Sequence, residues 1–152
     1  MNADVQLLAF RLDGQRYGLP LAGVGRVVRI AEITPLPKAP EIVLGVINVQ
    51  GRVIAVVDVR RRFGLPRREP TLSDSLIIAR TPARAVALVA DSVAGVVECT
   101  VGETVPAQAI VPGMDYVEGI AKLDDGMVLI HDLARFLSLD EGRRLDEAMA
   151  HA

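Results

Sequence analysis

Tryptophan is absent from this chain of 152 residues, and aromatic residues make up only 3% of it. So few rings leave little on which nucleic-acid bases could stack. The core must be filled by Val, Ile, Leu and Ala, and the apolar fraction of 51% predicts a packed core rather than disorder. One cysteine, Cys99, excludes an intrachain disulfide. The net charge of -2 lacks the basic surplus that phosphate binding requires, so nucleic acid is not expected as the main partner. The opening MNADVQLLAF has neither a positive n-region nor a long apolar h-region. No apolar run approaches the roughly 20 residues of a membrane span. These absences lead to the expectation of a soluble, cytosolic protein without membrane insertion, built as one domain or two small subdomains around a shared core.

Signatures of catalysis and metal binding are missing as well. His131, in VLIHDL, has no Cys, His or Glu at ligand spacing and reads as a structural histidine. His151 lies in the tail. Cys99, in VVECTV, has no nearby histidine in sequence and reads as a small strand hydrophobe. The GVG at 23–25 lacks both the third glycine and the Lys-Ser/Thr ending of a phosphate loop. No catalytic residue, metal site or cofactor is therefore expected.

Most of what is present reads as strand. VQLLAFRL (5–12) stops at the turn dipeptide Asp13-Gly14 and is followed by QRYGLPL as its hairpin partner. VGRVVRI (24–30) is a further β-branched run. The three prolines in 34–40 make an extended connection. VLGVINV and RVIAVVDV flank Gln50-Gly51, a tight hairpin, and 64–74 is a polar linker. SLIIAR, RAVALVAD and VAGVVECTV predict three more strands. YVEGIAKL and MVLIHDL flank Asp124-Asp125-Gly126, another hairpin, and the tail from Asp132 reads as helix interrupted near Gly142.

The second half repeats the first. At an offset of 74, Val43, Gly45, Asp58, Arg61 and Leu65 fall on Val117, Gly119, Asp132, Arg135 and Leu139. At an offset of 69, Leu7, Arg11, Leu19, Val24, Val27 and Val28 fall on Leu76, Arg80, Leu88, Val93, Val96 and Val97. The difference places an insertion before the second hairpin, and the chain reads as two copies of one small all-β unit. Val53, Ala55 and Val57 face one way along their strand, and Ile54 and Val56 face the other. Both faces are apolar, so one can fill a barrel while the other needs the sister unit as cover. Each extra buried Val or Ile stabilises by roughly 1.5–3 kcal/mol.

Asp58 and Asp132 each end a strand before a short amphipathic segment. They are expected to cap it, typically worth about 1 kcal/mol, rather than to form a catalytic carboxylate pair. Arg60, Arg61 and Arg62 lie toward the far end of that segment, where cations suit the helix dipole. With Arg67 and Arg68 they form a basic spot, read as a solvated helix end in preference to a docking site for an acidic partner.

Taken together, RLDGQRYGLPLAGVGRVVRI, LPKAPEIVLGVINVQGRVIAVVDVRRRFGL and ALVADSVAGVV resemble the CheW family of chemotaxis coupling proteins over residues 5–140. The resemblance implies an all-β fold of two packed SH3-like five-stranded barrels, with short helices that include a C-terminal one. It implies a single domain over 1–152, with subdomains near 5–66 and 73–140 that leave room for strand exchange, and a helical tail at 141–152. It further implies a non-catalytic adaptor that bridges chemoreceptor tips to the regulatory domain of a CheA-type histidine kinase. Carried onto this sequence, the contact residues are Val24, Arg26, Val27, Gly45, Asn48 and Gln50, while Asp58, Gly119 and Asp132 are structural. The family's N-[LV]-R-G hairpin here reads Asn48-Val49-Gln50-Gly51, its V-x-E-V reads Val24-Gly25-Arg26-Val27, and a usual proline is Ala55. An arginine is thus replaced by Gln50 and a glutamate by Arg26, and Gln cannot reproduce an Arg–carboxylate fork. Two alternatives stay open: an adaptor in another CheA-like pathway, such as one controlling pili, and a barrel pair that binds a small ligand or second messenger.

Overall fold

The computed structural model describes residues 4–30, 32–66, 68–81, 84–100, 104–105, 117–123, 126–131 and 139–150. Its strands are β1 (Asp4–Leu12), β2 (Gln15–Pro20), β3 (Val24–Arg29), β4 (Val43–Val49), β5 (Arg52–Val57), β6 (Ser75–Arg80), β7 (Ala85–Ala90), β8 (Ser92–Thr100), β9 (Thr104–Val105), β10 (Val117–Leu123) and β11 (Gly126–His131). Helix α1 (Val59–Arg62) follows β5, and α2 (Leu139–Ala150) closes the described chain.

Tight turns set the first registers. Asp13 and Gly14 have φ of 50° and 80°, and Gln50 and Gly51 have 50° and 83°. Two consecutive left-handed residues make the turn whose twist matches flanking antiparallel strands. Leu12 therefore pairs with Gln15 and Val49 with Arg52. Asn48 steadies the second turn by accepting the Gly51 N–H at 2.8 Å through its side-chain oxygen.

The repeat is visible strand by strand. Val43 pairs with Val57 and Val117 with His131, and in both hairpins the register then breaks before Gly45 and before Gly119. The β3–β6 pairing of Val28 with Leu76 has its counterpart in the β8–β1 pairing of Val97 with Leu7. The parallel contact of Ala55 with Val86 has its counterpart in that of Leu129 with Tyr17. One sheet runs β8-β1-β2-β11-β10-β9 and the other β3-β6-β7-β5-β4, so each draws strands from both halves of the chain. This is the all-β, two-barrel architecture that the family resemblance implies, with β9 as a sixth strand at the edge of the first sheet.

The two apolar faces of β5 serve different cores. Ala55 and Val57 pack between the sheets with Leu8, Phe10, Leu12 and Leu88. Ile54 and Val56 pack inside the second sheet with Ile47, Leu76, Ile78 and Ala87, and Val28 adds to the same cluster. Residues of all five strands meet there, so that sheet curls around its own interior. Three of the five aromatic residues form one stack across the first core, with centroids 5.8 Å apart for Phe10–Tyr17 and 4.9 Å for Tyr17–Phe63.

Two expectations need correction. Helix α2 is not interrupted at Gly142 but runs through it. A Cβ there would lie 3.3 Å from the Arg84 guanidinium, which donates to the Gly142 carbonyl at 3.4 Å and to both Asp146 oxygens at 3.0 Å. Close packing offsets the ~1 kcal/mol propensity cost of a helical glycine. The basic spot is neither a solvated helix end nor an open docking site. Arg60 is only 7% exposed and pairs with Asp13 at 2.6 Å and with Asp91 at 2.7 Å, while donating to the Pro66 carbonyl at 3.1 Å. Arg68 bridges Asp74 and Asp91 at 2.9 and 2.6 Å, Arg61 pairs with Glu41, and Arg62 pairs with Glu141. These arginines tie α1 and the linker to both halves. Arg67 lies outside the described residues.

Candidate docking surface

The inward-facing rows of the second sheet end at one mouth. Side chains two apart share a face of a strand. Leu76, Ile78 and Arg80 form such a row on β6, Val56, Ile54 and Arg52 on β5, and Val28 and Arg26 on β3. On β7 and β4 the rows reach the mouth at Ala85 and Val49. An open groove of about 220 Å³ lies there, with Arg26, Gln50, Arg52 and Arg80 around a floor that includes Ile54 and Ile78. Ile54 and Ile78 are 7% and 8% exposed, so the floor is nearly covered while the polar rim is open.

The structure thus brings Arg26 and Gln50 to one groove, and both are exposed. Arg26 sits opposite Ile78 just beyond a register break in β3, and Gln50 is the first residue of the β4–β5 turn. The other expected contact residues are placed differently. Val24 packs against the inter-sheet core. Val27 is 41% exposed and alternates with Arg26, so it lies on the outer face of β3. Asn48 is exposed but engaged in the turn.

Gly45, expected at the contact surface, is buried beneath the 33–34 segment. A Cβ on it would come 2.3 Å from the Thr34 carbonyl oxygen, and Thr34 and Val46 exchange backbone hydrogen bonds at 2.9 and 2.8 Å. Asp58 caps α1, its carboxylate accepting the Arg61 N–H at 3.3 Å. Gly119 lies in β10 at the position equivalent to Gly45, and Asp132 lies outside the described residues. Arg52 and Arg80 do not stand out in the sequence. Their signal is an arginine two residues from an inward isoleucine, before Ile54 and after Ile78, which gains meaning only once β5 and β6 are known to open at the same end.

Around α1, burial pushes the Asp91 carboxyl up, but hydrogen bonds from Arg60, the Asp13 N–H and Arg68 outweigh it and hold the group below the usual carboxylate range. Burial also raises the Tyr17 phenol, and the nearby Asp13 charge adds to the effect. Among the described residues, no group of three or more His, Cys, Asp and Glu side chains is arranged to hold a metal ion. Nor is any described helix long and apolar enough to cross a membrane.

Comparison with known proteins identifies the family. Residues 6–141 match the CheW-like domain family. The chain is 29% identical over 134 residues to the chemotaxis protein CheW of Rhizobium meliloti, covering 87% of this chain and 86% of that protein. It is 28% identical over 134 residues to the chemotaxis protein CheW of Thermotoga maritima, covering 88% of each. The crystal structure of the scaffolding protein TtCheW from Thermoanaerobacter tengcongensis superposes with a TM-score of 0.83 at 30% identity, over 91% of this chain and 96% of that one.

Proposed function

The chain belongs to the CheW-like domain family, and from that premise we propose that it is a non-catalytic adaptor coupling chemoreceptors to a CheA-type histidine kinase. The observation that carries this reading is the agreement in fold and in extent with a scaffolding relative over 91% of the chain. The strand arrangement supports it. Both apolar faces of the central strands are consumed by two cores, which leaves the rims and outer edges of the sheets for partners. The mouth bearing Arg26 and Gln50 is the receptor-facing surface, and the kinase contributes its regulatory domain.

We read the chain as two exchanged subdomains, one around each sheet, with the C-terminal helix packed across them through Leu145 and Ala148, which are 1% and 5% exposed. Cytoplasmic work follows from the partners, since kinase and receptor tip meet there. Pull-down of the cognate kinase by its regulatory domain tests the reading. Retention of this chain at stoichiometric levels is expected. Absence of binding at micromolar concentrations of both proteins would refute it.

A further inference from the structure

Resting on the reading of the barrel mouth as a docking surface, we propose that it binds a protein segment presenting an apolar side chain flanked by carboxylates. Three of the five inward rows of this sheet end in arginine at the mouth: Arg26, Arg52 and Arg80. None of the three engages an acceptor among the described residues. By contrast, Arg60, Arg61 and Arg62 on α1 and Arg68 on the linker are each paired with a carboxylate, and Arg84 and Arg143 pair with Asp146 and Glu147. No acidic residue lines the groove among the described residues. Among the described residues its charge is therefore of one sign and unanswered.

The repeat shows that this concentration is not inherited from the architecture. The counterpart of Arg26 in the other half is Gly95, and the counterpart of Arg52 is Gly126. The counterpart of Arg80 is Arg11, which donates to the Gly14 carbonyl at 3.1 Å. Of the three rim positions only Arg80 has an arginine counterpart, and that one has an acceptor within the chain.

The occupant follows from complementarity. Guanidinium groups are weakly hydrated and fork-shaped, so they pair with carboxylates at interfaces more readily than ammonium groups do. A rim of like charge steers an acidic partner and disfavours a basic one. The floor at Ile54, Ile78 and Ala85 offers apolar contact between the charges, which calls for an apolar side chain at the centre of the bound segment. The three arginines rise from three different strands around an open groove, and among the described residues no glycine-rich loop of backbone N–H donors converges on a point. That spread suits a segment with separated carboxylates better than a single phosphate.

Calorimetry with two synthetic helical peptides tests the proposal, one with a central Leu flanked on both sides by Glu and its twin with Gln at those positions. The Glu peptide is expected to bind about tenfold tighter, a difference of about 1.4 kcal/mol, and the preference should shrink as salt rises. A variant carrying Arg26→Gln, Arg52→Gln and Arg80→Gln should lose the preference while its thermal melting stays within about 2 °C of wild type, since all three side chains are exposed. Equal affinity for both peptides, a preference kept by the variant, or displacement of the Glu peptide by stoichiometric pyrophosphate would each overturn it. Binding of the wild-type chain to the kinase regulatory domain is measured alongside. If that binding stands while the peptide preference is missing, this proposal fails and the adaptor reading survives. If kinase binding is absent, the adaptor reading itself fails.

Discussion

Replacing Asp91 by Ala should destabilise the protein far more than loss of a surface ion pair would. Asp91 accepts from Arg60 at 2.9 and 2.7 Å, from Arg68 at 2.6 Å and from the Asp13 N–H at 3.0 Å. The Arg60 side chain is only 8% exposed. Removing one partner of a buried charge pair costs about 3–5 kcal/mol, because the other charge is left without its counterion. Asp91 itself is 27% exposed and Arg60 keeps Asp13, so the lower end, about 3 kcal/mol, is expected. For a chain of this length that corresponds to a fall in Tm of about 6–12 °C.

Thermal and urea unfolding followed by circular dichroism would measure it. Arg60→Met in the same chain should recover part of the loss, since the stranded charge is then gone. The pH dependence carries a second signature. The folded Asp91 carboxyl lies below its ordinary value, so its contribution is complete above an unfolded pKa of about 3.9 and fades as pH falls through the lower folded value. The gap in stability between wild type and Asp91→Asn should therefore be flat near neutrality and close in acid. An Asp91→Ala change below about 0.5 kcal/mol, the scale of an exposed pair, would refute the reasoning.

Three other outcomes are expected. Gly45→Ala should cost about 1–3 kcal/mol in urea unfolding, because a Cβ 2.3 Å from the Thr34 carbonyl oxygen must push the 33–34 segment off β4. Asp58→Ala should cost about 1 kcal/mol through loss of the cap on α1, and Asp58→Asn should recover most of it. Arg26→Glu combined with Gln50→Arg should weaken binding to the cognate receptor and strengthen binding to a receptor of the usual CheW type, each by about tenfold; calorimetry against both receptors checks it, and equal affinities throughout would remove these positions from the interface.

The local layer of the fold was legible because short-range chemistry determines it. Asp13-Gly14 and Gln50-Gly51 demanded left-handed turns and took them. Asp58 stood where a cap was needed. The offsets of 74 and 69 between Val43 and Val117 and between Leu7 and Leu76 reappear as matching strand registers. Partners distant in sequence were not legible. Arg60 finds Asp13 and Asp91, which lie on opposite sides of it in the chain and meet only because β1 pairs with β8. A run of arginines on its own cannot announce that its carboxylates are waiting on other turns, so it read as a solvated surface. Gly45 reads as part of a contact surface because it lies among residues of the characteristic hairpin. Its burial depends on a loop that folds back through Thr34. The mouth arginines show the same limit. Arg26 stands out in the sequence, whereas Arg52 and Arg80 become its neighbours only because strands of both halves enter one sheet.

The claim that this chain couples receptor to kinase is tested most directly by co-sedimentation. Membrane vesicles bearing the cognate receptor are mixed with the full-length histidine kinase, with and without this protein, and the kinase in the pellet is quantified. The account predicts that the kinase sediments with the receptor vesicles only when the chain is present, and that the chain itself is found in the same pellet. Kinase sedimenting equally in its absence, or a chain that stays in the supernatant with both partners present, would contradict it.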